Sequence, residues 1–456
     1  MTVLATTPEG RAALAANYTV TGGLQTGLLP QSLLLPFAEQ EQQALRDVFI
    51  TRGDLAQLAD GLGTTLGAAY IARAHYIDPT NFTTLSKAVT DVVSYADATS
   101  SVNSDAGKYF FANLTVDGKK PASPAAMAIL KQVGGHSDVF GEYYGRPAGT
   151  PGANIYGNSR PFQTEPHTSL IVGLDYFSQP SDNGSYGHSP IMNNPSYPSG
   201  HTTYGYTGAL VLALLLPERY QEMIVRGAEY GNDRILVGAH YAMDVLAGRT
   251  LALYDMAHLL ANDPTYVGHA GNGALAIGNF RDAILTAHVD LTRVLSAVCG
   301  KDVADCAYED IGRFSNPAVN EAFYTSTQTY SLPVVYPKSA RITENVGELA
   351  PEAGYLLTVA FPALTLAQAN RILTETEGPG GGFLDDGSPF GVYSRINLYT
   401  AAGNAAALTS QKASLGHRDH QVVLLDLRGD TACKRNASRW SLPPTRNGAL
   451  RRSLGF

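Results

Sequence analysis

Cysteine is scarce in this chain of 456 residues, which has only three. Three cysteines are too few for the disulfide framework of a small secreted domain or for a cysteine-rich metal site. Cys299 and Cys306 could close a small loop if the protein is exported, and two unpaired thiols are an equally good interpretation; Cys433 is left over. The sequence also lacks the HExxH and CxxC patterns, so it predicts no metal site.

Positive charge and long apolar runs are also limited. The net charge is −8, which argues against nucleic acid or an anionic membrane as the main partner. The longest apolar run, 208–217, is about half of a membrane span. The N-terminus has no basic segment followed by an apolar run, so the sequence as given shows no signal peptide. We therefore expect a soluble protein without a transmembrane segment.

The hydrophobic fraction of 44% and the charged fraction of 16% are those of a globular protein. Helical periodicity dominates the first three hundred residues, and the clearest helices are predicted at 37–49, 202–216, 218–230 and 237–260. The run 202–216 has almost no polar side, so we expect it to be buried all round. A break is expected after residue 230, at Gly231-Asn232.

The pattern changes after Cys306. Strand-like runs at 330–336 and 354–359 accompany one clear helix, which starts at a capping box, Thr365-Leu366-Ala367-Gln368. The prediction is a mainly α protein with a smaller mixed α+β C-terminal extension. Its predicted parts are an irregular N-terminal arm (1–35), a helical domain (36–319), an extension of unknown role (320–410) and a basic tail (411–456). The tail has no convincing helical or strand periodicity, so its sequence is also compatible with disorder.

One tetrapeptide, Pro198-Ser199-Gly200-His201, stands immediately before the predicted buried helix. The hydroxyl of Ser199 and the unobstructed backbone N–H groups around Gly200 can hold an oxyanion. His201 adds an imidazole at the same place. The stretch therefore predicts an anion-binding loop at a helix N-terminus.

A second group of residues lies downstream, with Arg234, His240 and Asp244 separated by five and three residues. If His240 and Asp244 lie four residues apart on one helix, the Asp244 carboxylate can reach Nδ1 of His240. Nε2 then keeps a free lone pair. Arg160, upstream, supplies a second guanidinium. Two arginines, an anion loop and two histidines in different roles are what phosphoryl transfer through a covalent histidine needs.

In order and spacing, these three groups resemble the signature motifs of the type 2 phosphatidic acid phosphatase (PAP2) superfamily. That family includes soluble bacterial class A non-specific acid phosphatases, membrane lipid phosphatases and vanadium haloperoxidases. The resemblance covers about residues 85–260 and implies a helical bundle with the site at the helix ends. It also implies that the soluble protein is periplasmic or secreted.

The resemblance assigns each residue a role. His240 would be the nucleophile that forms a phosphohistidine, Asp244 its orienting partner and His201 the general acid. The phosphate would be bound by Arg160, Ser199, Gly200 and Arg234.

Two positions depart from the family's pattern. Ala153 stands where a lysine is usual, with His167 or Arg146 as candidates to replace its charge. Asp233 stands where a serine is usual, and it could tether Arg234.

The leading hypothesis is a metal-independent phosphomonoester hydrolase, an acid phosphatase without cofactors that acts on a small phosphorylated substrate. One alternative is a vanadium-dependent haloperoxidase, in which the same residues would bind vanadate. Another is a non-catalytic anion-binding protein on the same scaffold. The sequence does not predict the natural substrate or the oligomeric state.

Overall fold

The computed structural model describes residues 4, 7–48, 50, 55–74, 84–113, 160–165, 168–169, 185–186, 189–190, 195–268 and 276–410. Buried side chains from residue 4 to residue 405 join in one large hydrophobic core. The predicted arm, helical domain and extension all contribute to it. The basic tail, 411–456, lies outside the described residues.

The regular secondary structure of the described residues is almost entirely helical. The α-helices are α1 (Pro8–Gln25), α2 (Phe37–Asp47), α3 (Leu66–Ala74), α4 (Lys87–Asn113), α5 (Pro161–Thr164), α6 (Gly200–Leu215), α7 (Tyr220–Leu236), α8 (Ala242–Ala261), α9 (Phe280–Cys299), α10 (Val303–Cys306), α11 (Pro317–Ser326), α12 (Val346–Leu349), α13 (Tyr355–Thr358), α14 (Leu366–Glu375) and α15 (398–410). Short 3-10 helices lie at Leu55–Leu62, Pro217–Arg219, Gly312–Phe314, Ser339–Arg341, Pro351–Gly354 and Gly391–Arg395. Two-residue strands, β1 (Ser185–Tyr186) and β2 (Ser189–Pro190), pair antiparallel.

Helix α6 lies at the centre of the packing. It contacts α4, α7, α8 and α9, and every residue in it except His201 is buried. The prediction of a helix that is buried all round is confirmed. Its N-cap is Ser199, whose Oγ accepts a hydrogen bond from the backbone N–H of Thr202 at 3.2 Å.

The sequence suggested a break at Gly231-Asn232. Helix α7 does not break there but continues to Leu236. A Cβ on Gly231 would lie 3.1 Å from Thr202 Cγ2 and 3.2 Å from the Tyr206 ring. Gly231 therefore allows α7 to approach α6 closely. A glycine in a helical pattern can mark either such a close approach or the end of a helix. The prediction of a break was wrong because the sequence pattern cannot separate the two roles.

The predicted irregular N-terminal arm contains a helix, α1. Two of its side chains reach the start of α8: Thr21 Oγ1 accepts from Ala242 N at 3.1 Å, and Asn17 Oδ1 accepts from Met243 N at 3.0 Å. These N–H groups belong to the first turn of α8, where no backbone partner exists within the helix. Helix α1 thus completes the capping of α8, and its stability comes from such tertiary contacts more than from its glycine- and threonine-containing sequence.

The predicted strands of the C-terminal extension are also wrong: no residue between 320 and 410, all of which are described, is in a strand. Residues 330 and 331 lie in a turn, and residues 332–336 are irregular. Both Tyr330 (φ 49°) and Ser331 (φ 57°) have left-handed backbones that a strand cannot contain. The apolar run 354–359 forms α13, which packs against α8. Short buried apolar runs suit either structure, which explains the error. The capping box at Thr365 is confirmed.

The sulfur atoms of Cys299, at the end of α9, and Cys306, at the end of α10, form a disulfide. This decides between the two interpretations that the sequence left open. None of the helices within the described ranges combines the length and the apolar character that crossing a bilayer requires.

Three carboxylates of the C-terminal segment share one guanidinium, that of Arg395. Arg395 Nη2 lies 2.6 Å from Glu377, while its Nη1 lies 3.8 Å from both Glu344 and Asp385. All four side chains have little exposed surface. Burial, and after it the neighbouring Asp385 carboxylate, raises the pKa of Glu344 to about 7, while Arg395 opposes the rise.

We expect Glu344→Gln to make the stability of the protein less dependent on pH. The pKa of Glu344 is higher in the folded chain than its ordinary value of 4.5, so its protonation stabilises the fold at acidic pH. That contribution is lost as the pH rises through about 7. The uncharged glutamine should keep it, so the Tm difference between about pH 5 and about pH 8 should shrink.

The matched control is Glu375→Gln on α14, where the carboxylate is exposed and pairs with Arg371. This variant should keep the wild-type pH dependence. Equal pH profiles for Glu344→Gln and the wild type would contradict the prediction.

Candidate active site

The anion-binding loop is tied directly to the start of α8. The Tyr197–Pro198 peptide is cis, and Ser199 N donates to the backbone oxygen of Asp244 at 3.0 Å. Ser199 Oγ accepts from both the N–H and the hydroxyl of Thr202, at 3.2 and 2.9 Å. Both lone pairs of the Ser199 hydroxyl are therefore occupied, and its proton is left to donate to a ligand oxygen.

His240 lies in the turn before α8, not on the helix as predicted, yet its pairing with Asp244 forms. Nδ1 lies 3.2 Å from Asp244 Oδ2, and both side chains are buried. Asp244 occupies the third position of α8, and its Oδ2 also accepts from Tyr241 N at 2.9 Å. The carboxylate thus folds back over the helix start, where the positive end of the helix dipole stabilises its charge.

Arg160 fixes the tautomer of His240. Its Nη1 lies 2.9 Å from His240 Nε2 and donates to Ala239 O at 3.0 Å. A guanidinium can only donate, so Nε2 must accept through its lone pair. The imidazole proton is then on Nδ1, facing Asp244, and Nε2 carries the lone pair.

The turn between α7 and His240 depends on Gly238, whose φ is 76°. A Cβ there would also lie 2.4 Å from Ser169 O. Beyond Gly238, the N–H groups of Ala239 and His240 both donate to Arg234 O at 3.1 Å. This turn places His240 directly after the end of α7 and beside Arg160, at the N-terminus of α8.

Arg234 is buried with 1% of its surface exposed. Its Nε and Nη2 have no hydrogen-bond partner within the described part of the chain, and no carboxylate there pairs with it. Its guanidinium carbon lies 4.9 Å from the centre of the Tyr230 ring. A buried cation without a counter-charge is unfavourable, so an anion that reached Arg234 would stabilise its charge.

The sequence suggested that Asp233 could tether Arg234, but the structure shows no such contact. Asp233 Oδ1 accepts from Gln40 Nε2 at 3.1 Å, on the side of α7 where Arg226 binds Asp47. Burial, and after it the charge of Asp47, holds the pKa of Asp233 well above its usual value. Neighbouring residues of a helix point in different directions, so Asp233 and Arg234 face different surroundings.

His201, in the first turn of α6, is half-buried, and its ring centre lies 5.1 Å from that of Tyr204. Gly200 is buried beside Ser199. The tetrapeptide Pro198-Ser199-Gly200-His201 thus lies at the N-terminus of α6, and Ser199 connects it to Asp244. Ala153, Arg146 and His167 lie outside the described residues.

Ser196 is a site residue that the sequence analysis missed. Its hydroxyl donates a hydrogen bond to Asp244 Oδ2, and its Oγ lies 3.4 Å from His240 Nδ1. No sequence signal distinguishes it from the other serines of its loop.

Nearby, Tyr241 donates to Glu165 Oε1 at 3.0 Å, which links α8 to the residue after α5. Helix α5 ends at Thr164, because Pro166 disfavours a helical Glu165.

Within the described ranges, no group of three His, Cys, Asp or Glu side chains could hold a metal ion. The residues that could hold an anion are the guanidiniums of Arg160 and Arg234, the Ser199 hydroxyl and the N-terminus of α6.

Comparison with known proteins finds similarity in the region that contains these candidate site residues. Residues 149–261 match the model of the PAP2 superfamily. The chain is 38% identical over 121 residues to a non-specific acid phosphatase of Salmonella typhimurium, covering 26% of this chain and 42% of that one. It is 47% identical over 64 residues to an acid phosphatase of Zymomonas mobilis (14% and 24%), and 42% identical over 72 residues to a non-specific acid phosphatase of Providencia stuartii (16% and 29%).

The chain spans less than half the length of these curated relatives. The matched segment contains the Arg160, Ser199, His240 and Asp244 arrangement described above. Residues 149–261 of this chain are therefore a domain of the PAP2 superfamily.

Proposed function

We propose that this protein is a phosphomonoester hydrolase, an acid phosphatase that works through a phosphohistidine. The observation that carries the proposal is the contact of Arg160 with His240 Nε2. His240 N also donates to the backbone oxygen of Arg234, whose buried Nε and Nη2 have no hydrogen-bond partner among the described residues. A nitrogen that carries a lone pair and contacts a guanidinium suits attack on a phosphate dianion. Similarity to proteins named acid phosphatases supports the same reaction.

In the first step His240 Nε2 attacks phosphorus, the N–P bond forms and the bond to the leaving oxygen breaks. His201 gives its proton to that oxygen, which departs as an alcohol. The Nδ1 proton of His240 stays in place, and Asp244 stabilises the resulting cation. In the second step a water molecule gives a proton to His201, its oxygen attacks phosphorus, and the N–P bond breaks to release phosphate.

Arg160 has two roles in this scheme. Before substrate binds, its Nη1 keeps the Nε2 lone pair facing the site. A phosphate oxygen is a stronger acceptor than imidazole because it is charged. We therefore propose that Arg160 turns to the phosphate when it binds and leaves Nε2 free to attack. Arg234, the Ser199 hydroxyl and the α6 N-terminus bind the remaining oxygens.

We propose that no metal is needed, because Arg160 and Arg234 already supply the positive charge that a metal would bring. The test is hydrolysis of p-nitrophenyl phosphate with EDTA present, beside halide oxidation with added vanadate and peroxide. Phosphatase activity that survives EDTA supports the proposal. Halide oxidation alone would favour the haloperoxidase, and neither reaction together with intact phosphate binding would favour the non-catalytic anion-binding protein.

We propose a periplasmic or secreted location, supported by the Cys299–Cys306 disulfide. Disulfides persist in oxidising compartments and are rare in the cytosol. Thiol labelling of protein taken from its native source, with and without a reductant, tests this. Labelling of Cys299 and Cys306 without a reductant would argue against export.

Asp244→Asn is expected to lower kcat by about a hundredfold or more while changing KM little. Asparagine has the same shape, and its oxygen can still accept from Tyr241 N. That oxygen stands at the Oδ2 position and also faces His240 Nδ1, but the neutral amide cannot stabilise the imidazolium cation that forms when Nε2 attacks phosphorus. Steady-state kinetics on folded protein tests this. A matched Ser196→Ala variant removes only the outer hydrogen bond and should lose much less.

A further inference from the structure

A cavity of about 150 Å³ lies between helix α8 and the C-terminal segment. Leu246 and Arg249 of α8 form one wall, and Gln328, Leu332, Phe383 and Leu384 belong to the other. The cavity therefore exists only because residues 320–410 fold onto the PAP2 domain. Its polar wall contains two buried side chains whose hydrogen bonds are incomplete.

The first of them is Arg249, with 3% of its surface exposed. Its Nη2 donates to Tyr324 Oη at 2.7 Å and to Ile396 O at 3.2 Å, and its guanidinium carbon lies 4.5 Å from the centre of the Tyr324 ring. Its Nη1 has no hydrogen-bond partner among the described residues, and none of their carboxylates forms an ion pair with it. The charge is thus surrounded by neutral groups, an arrangement that an incoming anion would stabilise.

The second is Gln328, with 5% of its surface exposed. Its Oε1 accepts from Asn397 Nδ2 at 3.4 Å, whereas its Nε2 has no partner within the described part of the chain. Both incomplete groups are therefore donors. A ligand that satisfies them must bring acceptor atoms, and the positive charge of Arg249 favours an anion.

The rest of the lining is mostly apolar, including Leu246, Leu332, Phe383 and Leu384. A cavity of this volume holds a molecule of about the size of benzene. Pro333 and Val334 also line it and are exposed, so the cavity opens to solvent at these residues. The site thus combines a pocket for one apolar ring with donors for one acidic group.

We propose that this cavity binds a small organic acid in which a single ring carries a carboxylate. The ring would fill the apolar part, and the carboxylate oxygens would accept from Arg249 and Gln328. The site is separate from the candidate active site, since it uses none of its residues. The proposal does not depend on the phosphatase activity.

The test is calorimetric titration of the full-length protein with benzoate. We expect one benzoate per chain, and at least tenfold weaker binding of benzyl alcohol, which keeps the ring and lacks the charge. Gln328→Leu should weaken benzoate binding severalfold by removing one donor. Leu332→Trp should abolish it by filling the cavity, and Val334→Trp, at the exposed rim, provides a second obstruction that the fold tolerates more easily.

Saturating inorganic phosphate and the His240→Ala variant should both leave benzoate binding unchanged, because they affect only the candidate active site. Competition by phosphate would overturn the proposal, since benzoate would then occupy that site instead. Equal affinity for benzyl alcohol would also overturn it, and so would undiminished benzoate binding in both folded tryptophan variants.

Discussion

His240→Ala is expected to lower kcat/KM for p-nitrophenyl phosphate by about a thousandfold or more. The variant removes the nitrogen that Arg160 contacts at 2.9 Å, and with it the atom that would form the N–P bond. Wild-type protein mixed with substrate and quenched in base should contain a phosphorylated histidine, because that bond breaks in acid. The variant should contain none.

The control is His288→Ala. His288 lies on α9, and its Nδ1 bonds to Leu215 O at 2.8 Å, at the opposite end of α6 from the site. This variant should keep nearly full activity. Activity of His240→Ala within tenfold of the wild type, with its fold intact, would rule out His240 as the nucleophile.

Arg234→Met is expected to separate activity from stability. Loss of the guanidinium should lower kcat/KM by about a hundredfold to a thousandfold, because one of the groups that stabilise the transferring phosphoryl charge is gone. The free energy of unfolding should stay the same or increase. Arg234 has no partner among the described residues that its removal would leave unpaired, and methionine fills the space without a buried charge.

Arg226→Met, two turns earlier on α7, is the matched comparison. Arg226 is also fully buried, but it binds Asp47 at 2.5 Å, Asp60 at 2.6 Å and Glu229 at 3.3 Å. Its removal would strand buried carboxylates and should lower the free energy of unfolding by about 3 to 5 kcal/mol. Urea unfolding and kinetics on both variants test the pair. A large loss of stability in Arg234→Met would show that this arginine holds the fold together.

The sequence predicted the helices whose patterns depend on local signals. Helix α6 has a capping serine and a continuous apolar run, and α14 has a complete capping box; both were predicted. The strands at 330–336 and 354–359 were wrong because short apolar runs carry no period. The break at Gly231 and the irregular segment over α1 were wrong because contacts with other helices decided both.

By itself the sequence determined the types and spacings of the candidate site residues, apart from Ser196, and predicted the chemistry that they would suit. Arg160, Ser199, Arg234, His240 and Asp244 stand at spacings that bring them to the ends of helices, and residue type and spacing are properties of the chain alone. The sequence could not determine which of these groups already have partners, because partners come from segments that are distant along the chain.

Only the tertiary structure showed that Arg234 has no counter-charge among the described residues while Arg226 has three. It alone brought α1 to the start of α8 and enclosed Arg249 in a cavity under the C-terminal segment. The physical reason is that the free energy of a buried charge depends on what surrounds it. Those surroundings exist only once the chain has folded.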